Sequence, residues 1–235
     1  MRSAARAEGR PAAKTAKEAS SPKSKKVSQA FVQKVLDFFD QYYPEAGCSL
    51  EFGSPFQLLA ATILSAQCTD ERVNRTTGPL FERYPDPASM SRANPEELEE
   101  IIRPCGFFHN KSKNLMAASR DIVEKYGGQV PRTMEELTQL HGGGRKTANV
   151  VLGNAFGVPG LTVDTHLGRV SRRLGFSGNL DPEKVEADLA RLIPQAKWTL
   201  FSHQAIHHGR ALCRARNPLC RECPLLGDCP RIGVA

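Results

Sequence analysis

From Ser28 to Leu212 the chain repeats one pattern: apolar residues three and four apart, a break at glycine or proline, then the same spacing again. Ser28 can cap a helix predicted to run to about Tyr43, where Pro44 stops it. Ser54-Pro55 and Asn94-Pro95 each set a capping side chain before a proline at the first helical position. The first pair predicts a helix from Phe56 to about Gln67, and the second leads into Leu98, Ile101 and Ile102. Between them, Thr69 or Asp70 starts a helix carrying Val73, Leu80 and Phe81. From about Asn110 to Tyr126 the helical spacing falls on Leu115, Ala118, Ile122 and Val123, and Gly127-Gly128 ends it. Thr133-Met134-Glu135-Glu136 reads as a capping box opening a short helix. Later helices are predicted through Lys146 to Phe156-Gly157, from about Asp164 to before Gly175, from Asp181-Pro182 to Pro194, and from about Trp198 to Leu212. Strand-type alternation is nearly absent, so the fold class is all-α.

At 235 residues the chain has room for one large domain or two small ones. A hydrophobic content of 40% and a charged content of 24% belong to an ordinary water-soluble protein. No apolar run approaches the roughly 20 residues needed to span a bilayer, so no membrane partner is expected. The N-terminus lacks the apolar core of a secretory signal, which predicts an intracellular protein. In that setting the seven cysteines read as thiols or metal ligands rather than disulfides.

Charge is unevenly placed. Residues 1–26 carry eight basic side chains against Glu8 and Glu18, which accounts for +6 of the net +7. The remaining body is close to neutral, so a nucleic-acid site on it must be a local basic face. The segment is rich in Ala, Ser, Pro and Lys without periodicity, and reads as a disordered basic arm. It is either a nonspecific DNA arm or a solvated tail; Glu8 and Glu18 argue against a transit peptide.

Three constellations carry chemistry. In Leu140-His141-Gly142-Gly143-Gly144-Arg145-Lys146, a glycine triplet ends one helix and opens another, whose first amides can hold a phosphate beside Lys146. Most such loops are plain turns, so the glycines alone are a weak signal. Cys213, Cys220, Cys223 and Cys229 have the spacing C-x6-C-x2-C-x5-C, suited to one metal centre. Spacing leaves zinc and iron–sulfur equally open. Arg214 and Arg216, between the first two cysteines, can reach phosphates. Asp164, in Val163-Asp164-Thr165-His166, reads from position as an N-cap, and His166 as a structural histidine. Cys48, Cys68 and Cys105 lack metal-like spacing and read as small packing residues.

These three runs together resemble the endonuclease III family of helix-hairpin-helix DNA glycosylases, over about residues 28–230. The resemblance implies a two-lobed fold. Residues 48–158 would form a six-helix barrel with the helix-hairpin-helix at about 134–156; residues 27–47 and 159–235 would form a cluster lobe. Double-stranded damaged DNA would bind in the cleft between them. Apart from the resemblance, no coiled-coil pattern or obvious dimer surface occurs in the sequence, so a monomer is expected. By the same resemblance the quartet is a 4Fe-4S site, Lys146 the nucleophile and Asp164 the catalytic carboxylate. Gln67 falls where the family inserts a glutamine into the duplex. Phe107 falls where it places an apolar wedge, commonly leucine. Asp70, Lys111, Gly142, Gly144 and Arg145 are further implied DNA contacts. The implied activity is base-excision repair: removal of oxidised or ring-saturated pyrimidines, then strand cleavage through a lysine Schiff base. A monofunctional adenine glycosylase of the same fold and a noncatalytic DNA-binding module are the alternatives.

The chemistry suits the pair. Breaking the base–sugar bond builds positive charge that a carboxylate stabilises, and a neutral amine can then attack the anomeric carbon. Lys146 needs desolvation or a cationic neighbour such as Arg145 to lose its proton. The hairpin departs from the family's usual Leu-Pro-Gly-Val-Gly. Loss of the proline and of the apolar anchor predicts a mobile hairpin with weaker DNA binding, tightened by Gly143→Val.

Overall fold

The computed structural model describes residues 27–234; the basic arm expected at 1–26 lies outside the described residues. Eleven α-helices and no strand occur among them. Helix α1 (Gln29–Tyr42) starts at the Ser28 cap, whose hydroxyl accepts from Phe31 N–H. Helices α2 (Pro55–Leu64), α3 (Asp70–Arg83), α4 (Pro87–Ser91), α5 (Pro95–Ile102), α6 (Phe108–Tyr126), α7 (Met134–Gln139) and α8 (Arg145–Ala155) follow. Helices α9 (Thr165–Arg173), α10 (Pro182–Leu192) and α11 (Trp198–Ala211) complete the set.

The caps at Ser54, Thr69, Asn94, Thr133, Asp164 and Asp181 all receive the amide bonds that define a helix start. Helix α4 is an addition to the sequence reading. It is one turn opened by Asp86, Pro87 and a reciprocal bond with Ser89. Thr133 differs from a full capping box: its hydroxyl donates to Glu136 Oε2 at 2.7 Å, so the glutamate grips the cap side chain.

Two apolar cores organise the chain. One is built from α2 to α8, with Leu58, Leu64, Leu80, Leu98, Leu115 and Val151 among its buried members. The other joins α1 to the later helices, through Val35, Phe39, Leu167, Leu189, Phe201 and Ala205. Helix α8 packs on α2 and α7 in the first core, and α9 packs on α11 in the second. Gly153 of α8 meets Thr199 of α11 so closely that a Cβ there would lie 2.7 Å from its hydroxyl. The absence of a side chain therefore brings the two groups of helices into contact.

Candidate active site at the junction of the two cores

Lys146 and Asp164 line one cavity. Helix α8 brings the lysine from the first core, and the start of α9 brings the aspartate from the second. Asp70 at the start of α3 and His203, His207 and Arg210 on α11 complete its polar wall. The α11 residues share one helical face and were missed in the sequence; their i, i+4, i+7 spacing was the available signal. Asp70 Oδ2 pairs with Arg210 at 3.0 Å, across 140 positions of chain.

Asp164 is held through one of its two carboxylate oxygens. Its Oδ1 accepts from His166 N–H and Leu167 N–H, both at 2.8 Å, which fixes the carboxylate as the α9 cap. Its Oδ2 takes no hydrogen bond among the described residues, and the side chain lines the cavity. Lys146 is exposed, one residue into α8, with no ion-pair partner among the described residues. His166 Nδ1 is held 3.2 Å from Arg169 Nη2, and burial pushes its imidazole pKa down.

Arg145 departs from its expected use. Its guanidinium forms a two-pronged pair with Glu186 of α10 at 2.7 and 2.8 Å. A carboxylate therefore neutralises the cation that sequence placed beside Lys146, and the same pair ties the hairpin helix to the second core. Lys111 is corrected outright as a phosphate contact. It is only 4% exposed, and its ammonium donates to Leu64 O and Cys105 O, both at 2.8 Å. It closes the end of α2 against the turn before α6, and burial pushes its pKa down.

Gln67 and Phe107 share an uncommon backbone. Both adopt left-handed conformations, with φ of 54° and 49°. Phe107 is 63% exposed, so it does not pack on a neighbouring helix. Holding a bulky residue in that region costs about 1–3 kcal/mol and aims its side chain outward.

The hairpin turn closes by Gly143 N–H donating to Leu140 O at 2.8 Å, with Gly142 at φ +74°. His141 occupies the turn position that proline favours. Gly142 and Gly144 lie exposed beside the start of α8. Gly143 overturns the sequence expectation: a Cβ there would lie 2.2 Å from Leu137 O, so valine does not fit this turn.

Cys213, Cys220, Cys223 and Cys229 line a single, mainly apolar cavity in the second lobe. Arg173 closes it, with Nη1 3.4 Å from Cys213 Sγ and further bonds to the Arg214 and Ala215 carbonyls. Among the described residues no three side chains converge tightly enough for one metal ion. An all-thiolate set spread around a cavity suits a cofactor with its own inorganic core. Arg214 and Arg216 stand exposed on the adjoining loop. Cys105 is buried in the first core as a packing residue, and burial pushes its thiol up, away from the reactive thiolate; Cys48 and Cys68 are only partly buried against that core, and Cys48 also lines the Lys146 cavity.

Together these features define a class: a helix-hairpin-helix protein with a lysine and an aspartate facing a cleft between two helical lobes. Residues 60–195 match the family described as HhH-GPD superfamily base excision DNA repair protein. Endonuclease III of Synechocystis sp. is 54% identical over 197 residues, covering 83% of this chain and 90% of that protein. Endonuclease III of Bacillus subtilis is 47% identical over 195 residues, covering 83% and 89%. The structure of a trapped endonuclease III–DNA covalent intermediate superposes with a TM-score of 0.83 at 43% identity, covering 87% of this chain and 97% of that one. The chain belongs to the endonuclease III family of the HhH-GPD superfamily.

Proposed function

We propose that this protein is a bifunctional DNA glycosylase and abasic-site lyase of base-excision repair, acting on oxidised or ring-saturated pyrimidines in duplex DNA. The observation that carries the reading is the shared cavity of an unpaired amine, Lys146, and a carboxylate with one free oxygen, Asp164. A base in a duplex must leave the stack to reach such a cavity. Gln67 and Phe107 fill the gap it leaves. The amides at Gly142, Gly144 and the start of α8 hold a backbone phosphate. Arg214 and Arg216 touch phosphates further along, and Asp70 with Arg210 borders the opened site. Arg145, locked to Glu186, positions the start of α8.

As the base–sugar bond breaks, its electron pair leaves with the base and Asp164 stabilises the positive sugar. The Lys146 amine, its ammonium proton lost to water, bonds to the anomeric carbon; the bond from that carbon to the ring oxygen then breaks, the oxygen takes the electron pair and a proton from the nitrogen, and a Schiff base remains. Loss of the neighbouring sugar proton then expels the 3′ phosphate and cuts the strand. Cys213, Cys220, Cys223 and Cys229 hold a 4Fe-4S cluster, which supplies a structural and electronic centre when bound. The residues around the two cores, 48–158 against 27–47 with 159–235, act as two lobes of one intracellular monomer.

Duplexes with a single thymine glycol test the reading. Wild type is expected to release the base and nick the strand. Adenine release opposite 8-oxoguanine without nicking would contradict it.

A further inference from the structure

The cavity holds more polar groups than this scheme uses. Asp70 and Arg210 neutralise each other. Asp164 is seated by its cap bonds. His203 Nε2 lies 2.8 Å from Asn154 Oδ1, and Asn154 is itself fixed by donating to Val150 O. With that oxygen as acceptor, His203 directs a proton towards α8. Of the charged and imidazole side chains lining the cavity, only Lys146 and His207 have no partner among the described residues.

His207 sits one turn beyond His203 on α11 and is half-buried. The Tyr43 ring backs it, with centroids 6.5 Å apart. The His207 ring nitrogens have no protein partner among the described residues and are not sealed from the cavity, so a ligand entering there can pair with them. Its placement says which ligand atom. Lys146 must reach the anomeric carbon and Asp164 the sugar, so the base attached to that carbon lies against another wall. On the α11 wall, His203 and Arg210 are already engaged, which leaves His207.

We infer that His207 is a base-contact residue: its imidazole N–H donates to a ring carbonyl of the extruded pyrimidine. The inference rests on the glycosylase reading above. When the bond between the anomeric carbon and the ring nitrogen breaks, the electron pair stays on the base and spreads onto its carbonyl oxygens. A donor placed there binds the departing base more strongly than the intact nucleotide, so it speeds base release. An abasic site carries no base, and His207 has nothing to hold on it.

The test compares two rates in one protein: base release from thymine-glycol duplex and strand cleavage at an abasic site in the same sequence. Both are measured in single turnover. His207→Phe keeps a ring without the donor, and His207→Gln restores a donor. The ratio of base release to abasic cleavage is expected to fall about tenfold in His207→Phe, the worth of one hydrogen bond. His207→Gln is expected to recover a large part of it. The ratio is insensitive to the fraction of protein that folds. An unchanged ratio in the phenylalanine variant, or a glutamine variant as low as phenylalanine, overturns the inference. A wild type inert on both duplexes overturns the glycosylase reading and this inference with it.

Discussion

His141 Nδ1 lies 2.8 Å from Asp121 Oδ2, so the hairpin turn is tied to α6. The residue that replaces the usual proline supplies an anchor of its own. The mobile hairpin expected from losing proline therefore overlooks a bond made twenty positions away. Lys125 joins the same carboxylate at 2.7 Å.

That tie has a pH signature. Burial works to raise the Asp121 pKa, but the bonds and charges from Lys125 and His141 outweigh it and hold the carboxyl below its usual range. A lowered folded pKa contributes stability above the unfolded value of about 3.9 and loses it as pH falls through the folded one. The Tm of Asp121→Asn is therefore expected to lie below wild type at neutral pH. The gap closes in acid below about pH 4. A gap that stays constant into acid, measured by calorimetry, would contradict this.

Gly143→Val is expected to lower stability by about 1–3 kcal/mol, as overpacking does, and to weaken binding to abasic DNA. Equilibrium unfolding and a binding titration check both parts. Tighter binding would restore the sequence-based expectation and contradict the turn geometry.

Lys111→Met separates a structural lysine from a phosphate contact. Losing two charge-assisted bonds is expected to lower stability by about 2 kcal/mol or more. The slope of log affinity against log salt is expected to stay unchanged, because no phosphate contact is lost. A slope shallower by about one would show that the ammonium reaches DNA.

Much of the fold was legible because helix starts are local events. Ser28, Ser54, Thr69, Asn94 and Asp181 each cap within three residues of themselves, so adjacent letters suffice. Asp86-Pro87 repeats the Asn94-Pro95 device and was readable in the same way. What sequence could not supply were pairings across the fold. Arg145 finds Glu186 over 41 positions, and Lys111 finds the Leu64 carbonyl over 47. Both side chains look free when only their neighbours are known. Gly143 misled for a related reason: its obstacles are the carbonyls of Leu137 and Leu140, set by how the turn folds back.

Asp164→Asn divides the cap from the chemistry. Asparagine caps a helix about as well as aspartate, so stability is expected to change by less than about 0.5 kcal/mol. Base release is expected to fall about a hundredfold or more with the loss of the charge. Thermal unfolding and single-turnover kinetics on one preparation decide it. Parallel loss of both would reduce Asp164 to a cap.

In the proposed reaction Lys146 attacks the sugar. Borohydride added to protein and abasic-site duplex traps a lysine imine as a stable covalent adduct. Wild type is expected to give one adduct per active site and Lys146→Ala none. A wild type that cuts abasic DNA without any trapped adduct, or an undiminished adduct in Lys146→Ala, would contradict the account.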